Sequence, residues 1–145
     1  MNKTPPFVIL KSEDEYKEYF KRKYCQIPIT TFDNIQVKFY MSKFADAFYE
    51  SSNRLKRNKD IFSWERAKRI DWIEYVLKNP EAELHYGWDR DKKIINKDRR
   101  VALITPENYV VIIRLNGNGT ATYITSYYAN NSADKIRNTP LWPTS

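Results

Sequence analysis

The chain has 145 residues, of which 15% are aromatic and three are glycine, so it is long enough for one domain with a substantial hydrophobic core. This composition excludes a disordered chain, and the single cysteine excludes an intramolecular disulfide. No cysteine and histidine set has zinc-site spacing, and the apolar stretch from Phe7 to Leu10 is too short for a signal peptide or a membrane span. We therefore expect a cytoplasmic protein without membrane contact, metal or cofactor.

Positive charge is concentrated in clusters along the chain. The formal net charge is +7, and basic residues recur over 21–23, 54–59 and 92–100. Such clusters favour a polyanion such as RNA as the partner. The alternative is that a basic surface only keeps the protein in solution, because net charge reports on association and not on fold.

The N-terminal part is predicted to contain a helix, a strand and a short helix. Ser12, followed three positions later by a glutamate, has the spacing of a capping box and predicts a helix that ends near Tyr24. Alternation of apolar and polar residues over 35–39 predicts a half-buried strand, and a short helix is predicted over 42–49. The polar, basic stretch over 51–59 has no periodicity and is predicted to be a linker or loop.

The chain is predicted to divide near residue 58. Residues 1–58 form an N-terminal extension to which we assign no role, and residues 59–140 form a domain of the α+β class. In this second segment, apolar residues from Trp64 to Leu77 recur at intervals of three and four, which predicts one amphipathic helix over 61–78.

After this helix the period of the pattern changes to two, which predicts an antiparallel meander. The stretch Asn116–Gly119 predicts a tight hairpin, and the stretch Val110–Ile113 is apolar on both faces, so its strand is expected to be central and covered on both sides. Residues 132–137 are predicted to add a short helical turn. The predicted fold thus packs N-terminal helices on a C-terminal four-stranded antiparallel sheet. The predicted strands are 83–88, 100–104, 109–115 and 120–128.

His85 is the only histidine and the first candidate for chemistry. Cleavage of RNA without a metal requires a base for the 2′-hydroxyl, an acid for the leaving oxygen and fixed positive charge. An imidazole exchanges protons near neutral pH, and alternation places His85 beside Glu83 on the more polar face of its strand. The alternative is an ordinary strand residue whose nitrogens are satisfied by water or by Glu83.

Two further groups of side chains are predicted to act with His85. Arg99 and Arg100 open the next strand, and a guanidinium offers a planar fork of donors for phosphate. In the last strand, alternation places Tyr123, Thr125 and Tyr127 on one side, where hydroxyls and rings bind phosphate or stack on a base. The alternative for Arg99 and Arg100 is a solvated strand end. The alternative for the last strand is that tyrosine and threonine are present only because they form strands well.

Additional cations are predicted to contact RNA without taking part in chemistry. They lie on the long helix, between the first two predicted strands, in the third strand and beyond the last strand. A helical arginine on a polar face is also explained by solvation alone. The candidates are Arg66, Arg69, Lys92, Lys93, Lys97, Arg114 and Lys135.

Four short motifs in a fixed order resemble a known group of nucleases. The motifs occupy Glu65–Ile73, Leu77–Pro80, Tyr109–Ile113 and Ala121–Tyr127, with a basic strand between the second and the third. The similar region extends approximately from Asp60 to Ala129. The sequence resembles the phage-associated branch of the barnase, EndoU, colicin and RelE-like nucleases. The resemblance implies one or two helices before a four-stranded antiparallel sheet whose exposed face carries the RNA site. It also implies that His85, Arg100, Thr125 and Tyr127 are site residues.

The function predicted from the residues and the resemblance is a metal-independent endoribonuclease of phage-derived or toxin-like type. His85 acts as general base or acid, Arg99 or Arg100 stabilises the phosphorane, and the product is a 2′,3′-cyclic phosphate. A RelE-like variant, in which cations and a tyrosine suffice, stays open if His85 is dispensable. A protein inhibitor or antitoxin is a predicted partner. The alternative function is a non-catalytic module that binds RNA or protein on the same fold.

Overall fold

The computed structural model describes residues 4–51, 61–89, 92–104, 107–129 and 133–143. Apart from Ser51, the predicted linker over 51–59 lies outside these residues, as does the predicted boundary near residue 58. Within the described ranges, no helix combines the length and the apolar character needed to cross a membrane.

The N-terminal helices and one strand form where the sequence predicts them. The first helix begins after Ser12, whose hydroxyl accepts a hydrogen bond from the backbone amide of Glu15 at 3.1 Å. The helix continues into a π-helical turn that extends just past the predicted end at Tyr24. The elements are α1 (Glu13–Phe20), the π-helical turn (Lys21–Cys25), β1 (Ile29–Thr30), β2 (Gln36–Lys38), a 3-10 turn (Met41–Lys43), α2 (Phe44–Phe48) and β3 (Tyr49–Glu50).

The predicted continuous helix over 61–78 is wrong, because this stretch contains a short strand and two helices. The strand β4 (Ile61–Phe62) pairs with β3. The Ser63 hydroxyl then begins a new helix by accepting a hydrogen bond from the backbone amide three residues later, at 3.2 Å. The backbone leaves the helical region at Arg69, with φ −95° and ψ 20°. The two helices are α3 (Trp64–Ala67) and α4 (Ile70–Lys78).

Four longer strands follow and form the predicted antiparallel meander in chain order. The last two strands have the predicted bounds, whereas the second begins at Ile94 rather than at Arg100. In the predicted hairpin, Gly117 and Gly119 adopt φ values of +90° and +78°, which only glycine adopts without strain. The elements are β5 (Glu83–Asp89), β6 (Ile94–Ile104), β7 (Tyr109–Leu115), β8 (Thr120–Tyr128) and α5 (Ala133–Arg137).

In the described part of the chain, the main sheet has six strands in the order β1-β2-β8-β7-β6-β5, so β1 and β2 extend the meander at β8. β2 runs parallel to β8, whereas the other neighbouring pairs are antiparallel. The predicted α+β class is confirmed. The sheet, however, is mixed and is larger than the predicted four-stranded one, and the arrangement typical of the nuclease families stays a prediction.

Both faces of the sheet are covered at β7, as its apolar sequence predicts. On the face that we call inner, Val111 and Ile113 join the main core cluster with residues of α1, α2 and α4. On the opposite, outer face, Val110 belongs to a smaller cluster beneath Ile136 of α5. On the outer face, this smaller cluster therefore covers the part of β7 next to α5.

Candidate nucleic-acid interface

Four polar side chains form one row across β2, β8, β7 and β6 on the outer face. Lys38 lies opposite Thr122, which in turn lies opposite Arg114. Arg114 lies opposite Arg99. Since Val37, the neighbour of Lys38 in β2, is buried in the main core, the row points away from that core. At a strand spacing of about 4.8 Å, the row extends over about 14 Å. We call these four residues the basic row.

The three cations of the basic row have no acidic partner among the described residues. Lys38 and Arg114 are exposed, and Arg99 is half-buried. Arg99 and Arg114 lie directly opposite each other, and like charges at opposed positions of a sheet destabilise it. A bound anion would remove this repulsion.

Neutral polar groups extend the basic row towards the β7–β8 hairpin. The Asn116 side-chain amide donates to the hydroxyls of Thr120 and Thr122 at 3.3 and 3.4 Å. Gln36 lies opposite Thr120 and is exposed. This region combines cations with amides and hydroxyls, which are the groups that contact phosphate and sugar oxygens in nucleic-acid complexes.

Gly87 allows the Arg99 side chain to lie across β5. A Cβ atom at position 87 would lie 2.6 Å from Cβ and 3.2 Å from Cδ of Arg99, well inside the optimal separation of about 3.5 to 4 Å between carbon atoms. The aliphatic stem of Arg99 therefore fills the space of a side chain at 87, and its Nε is buried. A larger residue at 87 would displace this guanidinium from the basic row.

His85 also belongs to the outer face, but it is buried. It lies opposite Val101 of the smaller cluster, and only 3% of it is exposed. Nδ1 is 3.1 Å from the carbonyl oxygen of Thr139, which assigns the proton to Nδ1 because a carbonyl only accepts. Nε2 is 3.7 Å from Oε2 of Glu83 and has no hydrogen-bond partner in the described part of the chain.

The segment after α5 covers His85 and pairs with β5 along the edge of the sheet. The Tyr86 amide donates to the Pro140 carbonyl at 3.0 Å, and the Trp142 amide donates to the Leu84 carbonyl at 2.8 Å. The rings of Trp142 and Tyr86 pack with their centroids 4.8 Å apart. A substrate would therefore reach the imidazole only after this segment moved.

Arg100 lies on the inner face, apart from Arg99 and the rest of the basic row. It is opposite Ile113 of the main core and is 1% exposed. Its two terminal nitrogens donate to the carboxylate of Asp33 at 2.6 and 3.2 Å. Burial raises the pKa of the Asp33 carboxyl, but the hydrogen bonds from Arg100 and Thr31, the charge of Arg100 and a backbone hydrogen bond lower it, and the net result is a pKa below the ordinary value. The Arg100 guanidinium is thus paired inside the protein.

An irregularity in β8 divides the predicted group of hydroxyls. Tyr123 and Thr125 pair with successive residues of β7, so Ile124 is an extra residue, as in a β-bulge. The prediction that Tyr123, Thr125 and Tyr127 share one face is therefore wrong, because the extra residue interrupts the alternation.

These three side chains have separate surroundings and lie outside the basic row. Tyr123 is in the main core, with its hydroxyl 2.6 Å from that of Ser126, and burial raises its pKa well above the ordinary value. The Thr125 hydroxyl donates to the backbone carbonyl of Asp46 in α2 at 2.8 Å. Tyr127 is half-buried against the smaller cluster of the outer face. The structure therefore does not bring the predicted catalytic residues together around one phosphate.

The other cations predicted to contact RNA lie in three parts of the structure. Three are exposed in or beside the β5–β6 hairpin, near Arg99 in the chain, and one is exposed on α5. Two lie at the α3–α4 junction, where the Arg69 guanidinium is 4.8 Å from the ring centre of Tyr128. In that order the residues are Lys92, Lys93 and Lys97, then Lys135, then Arg66 and Arg69.

Other parts of the described structure offer weaker sites. Among the described residues, no three His, Cys, Asp or Glu side chains are grouped as metal ligands. A groove of about 410 Å³ beside α4 is lined in part by Lys23, Asp71, Glu74 and Lys78. Lys23 Nζ is 3.0 Å from Asp71 and 3.5 Å from Glu74, and Lys78 pairs with Glu74. The charges of this groove thus neutralise one another.

Sequence reasoning missed Lys38, Thr122 and Gly87. Lys38 occupies a polar position of the predicted strand over 35–39, which signals its outward direction but not the strand beside it. A glycine inside a strand signals the close approach of another group, and this signal at Gly87 was available.

Comparison with known proteins identifies no relative of this chain: no protein-family model, no curated protein and no solved structure matches it. The resemblance to nucleases therefore stays a prediction from four short motifs.

Proposed function

We propose that this protein binds RNA through the basic row. The alignment of Lys38, Arg114 and Arg99 on the outer face, with no ion pair to any described residue, carries the proposal. RNA phosphates would neutralise these charges and relieve the repulsion between Arg99 and Arg114. Lys92, Lys93 and Lys97 are further exposed cations near Arg99 in the chain.

Salt-dependent binding tests this proposal. Each neutralised phosphate lowers log affinity by about 0.7 to 0.9 per decade of salt, so three contacts predict a slope of about −2 to −3. Fluorescence anisotropy with a labelled RNA measures this slope. Affinity that is unchanged between low and high salt would contradict the proposal.

The variant Arg114→Ala tests the row itself, with Arg22→Ala as the matched control. Arg22 is an exposed arginine in the π-helical turn after α1, so both variants lose one positive charge. We expect Arg114→Ala to weaken binding and to reduce the salt slope by about one. Its urea midpoint should be unchanged or higher, because a like-charge contact is removed. Equal losses of affinity in the two variants would contradict a specific role for the row.

Metal-independent RNA cleavage is a second candidate function. The observation that favours it is that His85 and Arg99 share the outer face. Gly87, two residues after His85 in β5, lies beside the Arg99 side chain. In this mechanism Nε2 of His85 takes the proton of a 2′-hydroxyl, whose oxygen attacks phosphorus, and Arg99 and Arg114 stabilise the phosphorane. The bond from phosphorus to the 5′-oxygen then breaks, and the leaving oxygen takes a proton from the imidazolium or from water, which gives a 2′,3′-cyclic phosphate and a 5′-hydroxyl. The reaction requires displacement of the segment that covers His85. Arg100 takes no part, because Asp33 holds it on the inner face.

Incubation of end-labelled RNA with the protein and a chelator tests cleavage. We expect cyclic-phosphate ends with wild type and a loss of product with His85→Ala, while Arg22→Ala stays active. Binding by the wild-type protein without product would reject cleavage and leave the RNA-binding function in place.

A further inference from the structure

We infer that the basic row binds single-stranded RNA and that Tyr40 stacks on one of its bases. This inference rests on the proposed RNA-binding function and adds the class of RNA and a residue that distinguishes it. The observation behind it is an exposed aromatic ring beside the row.

Tyr40 lies on the same side of the chain as Lys38. In β2 and the residue that follows it, Val37 and Phe39 are buried in the main core, whereas Lys38 is exposed. The backbone of Tyr40 is extended, with φ −117° and ψ 145°, so the alternation continues. Two residues of extended chain place Tyr40 about 7 Å from Lys38, at the end of the basic row.

Tyr40 belongs to neither hydrophobic cluster of the described residues. It is 52% exposed, and among the described residues its side chain has no hydrogen bond and no ring partner. The adjacent Phe39 is different, since its ring stacks on Tyr123 at 4.5 Å. Met41, which follows, is also exposed and enlarges the apolar surface. A planar base that covers Tyr40 would bury this surface.

An exposed aromatic ring beside a row of cations is expected to bind single-stranded RNA in preference to a duplex. In a duplex the faces of the bases are stacked on one another, so a protein ring cannot cover them. Single-stranded RNA presents free base faces, and proteins bind it with aromatic platforms beside a positively charged track for the backbone. Tyr40 provides the platform, and Lys38, Arg114 and Arg99 provide the track.

The test compares one RNA sequence as a single strand and as a duplex, with wild type, Tyr40→Ala and Tyr40→Phe. Loss of base stacking predicts that Tyr40→Ala binds the single strand roughly 5- to 100-fold more weakly. Tyr40→Phe keeps the ring and should bind within about twofold of wild type. Duplex binding should be weaker in wild type and insensitive to Tyr40→Ala. An abasic single strand should likewise show no effect of Tyr40→Ala, because it has no base to stack.

The outcomes separate this inference from the proposed function. If Arg114→Ala weakens binding but Tyr40→Ala does not, or if duplex and single strand bind equally, the inference is overturned and RNA binding stands. If no RNA binds with a salt-dependent affinity, the proposed function fails and the inference fails with it. Urea midpoints of the Tyr40 variants confirm folding, which the exposed position of the ring should leave unchanged.

Discussion

Removal of the Asp33 carboxylate tests whether Arg100 is a structural anchor or a ligand for phosphate. Asp33 lies between β1 and β2, whereas Arg100 belongs to β6, so their ion pair joins the N-terminal strands to the meander across 67 positions of sequence. Asp33→Ala deletes one partner and leaves the buried guanidinium of Arg100 without its counter-charge.

The size of the effect follows from the unequal burial of the two side chains. The Arg100 side chain is 1% exposed, and breaking a buried ion pair by removing one partner costs about 3 to 5 kcal/mol. The Asp33 side chain is 36% exposed, so water enters the vacated position and partly solvates the guanidinium. We therefore expect Asp33→Ala to lower the free energy of unfolding by about 2 to 3 kcal/mol at neutral pH.

Urea unfolding at two pH values measures this effect. Because the folded pKa of Asp33 is below its ordinary value of 3.8, the stabilisation is fully present above that value and is lost as the pH falls through the lowered pKa. The difference between wild type and Asp33→Ala should thus be largest near neutrality and should shrink in acid. Glu18→Ala, which removes an exposed carboxylate paired with Arg22, should cost less than about 0.5 kcal/mol.

Two results would refute the reasoning on this pair. A loss below 1 kcal/mol in Asp33→Ala at neutral pH would mean that the guanidinium does not depend on its partner.

The double variant Asp33→Leu with Arg100→Met replaces both charges by apolar groups and should recover much of the stability. It should also keep RNA affinity, so a selective loss of affinity in a folded double variant would show that Arg100 contacts the ligand.

Three further substitutions test other parts of the structure. Gly87→Ala should lower both stability and RNA affinity, because its Cβ would lie 2.6 Å from Cβ of Arg99; unchanged urea midpoint and anisotropy would contradict this geometry. Phe20→Ala should cost about 3 to 5 kcal/mol in urea unfolding, since the ring is fully buried among other core rings; a cost below 1 kcal/mol would refute its central place. Tyr24→Phe should cost about 1 to 2 kcal/mol, because the buried hydroxyl donates to a backbone carbonyl, whereas Tyr40→Phe at an exposed site should cost almost nothing in the same assay.

Local patterns in the sequence were sufficient for several elements. An apolar run identified β7 and alternation identified β8, both with their observed bounds, and the capping residue Ser12 marked the start of α1. The period of a pattern and the capping of a helix depend on residues that are close together in the sequence, so both can be read from the sequence. Longer patterns were less reliable: the stretch over 61–78 has helical periodicity, yet Ser63 and Arg69 divide it.

The candidate site was only partly predictable, because its arrangement depends on contacts between distant parts of the chain. Arg99 and Arg114 were identified as cations, but their alignment with Lys38 depends on strand pairing between distant parts of the chain. The surroundings of His85 depend on the segment after α5, which no pattern near His85 signals. Tyr40 was overlooked because exposure is not a property of a residue type.

The sequence by itself determined the start of α1, the order of the four meander strands, the basic charge and the class of side chains available for RNA. Tertiary structure alone decided which of those side chains meet. One extra residue in β8 put Tyr127 on the opposite face from Tyr123, and the parallel pairing of β2 with β8 added Lys38 to the row. Arg99 and Arg100 are neighbours in the chain, yet one lies on the outer face and the other is paired with Asp33 on the inner face. The physical reason is that side-chain direction follows from strand register, and register follows from contacts across the whole fold.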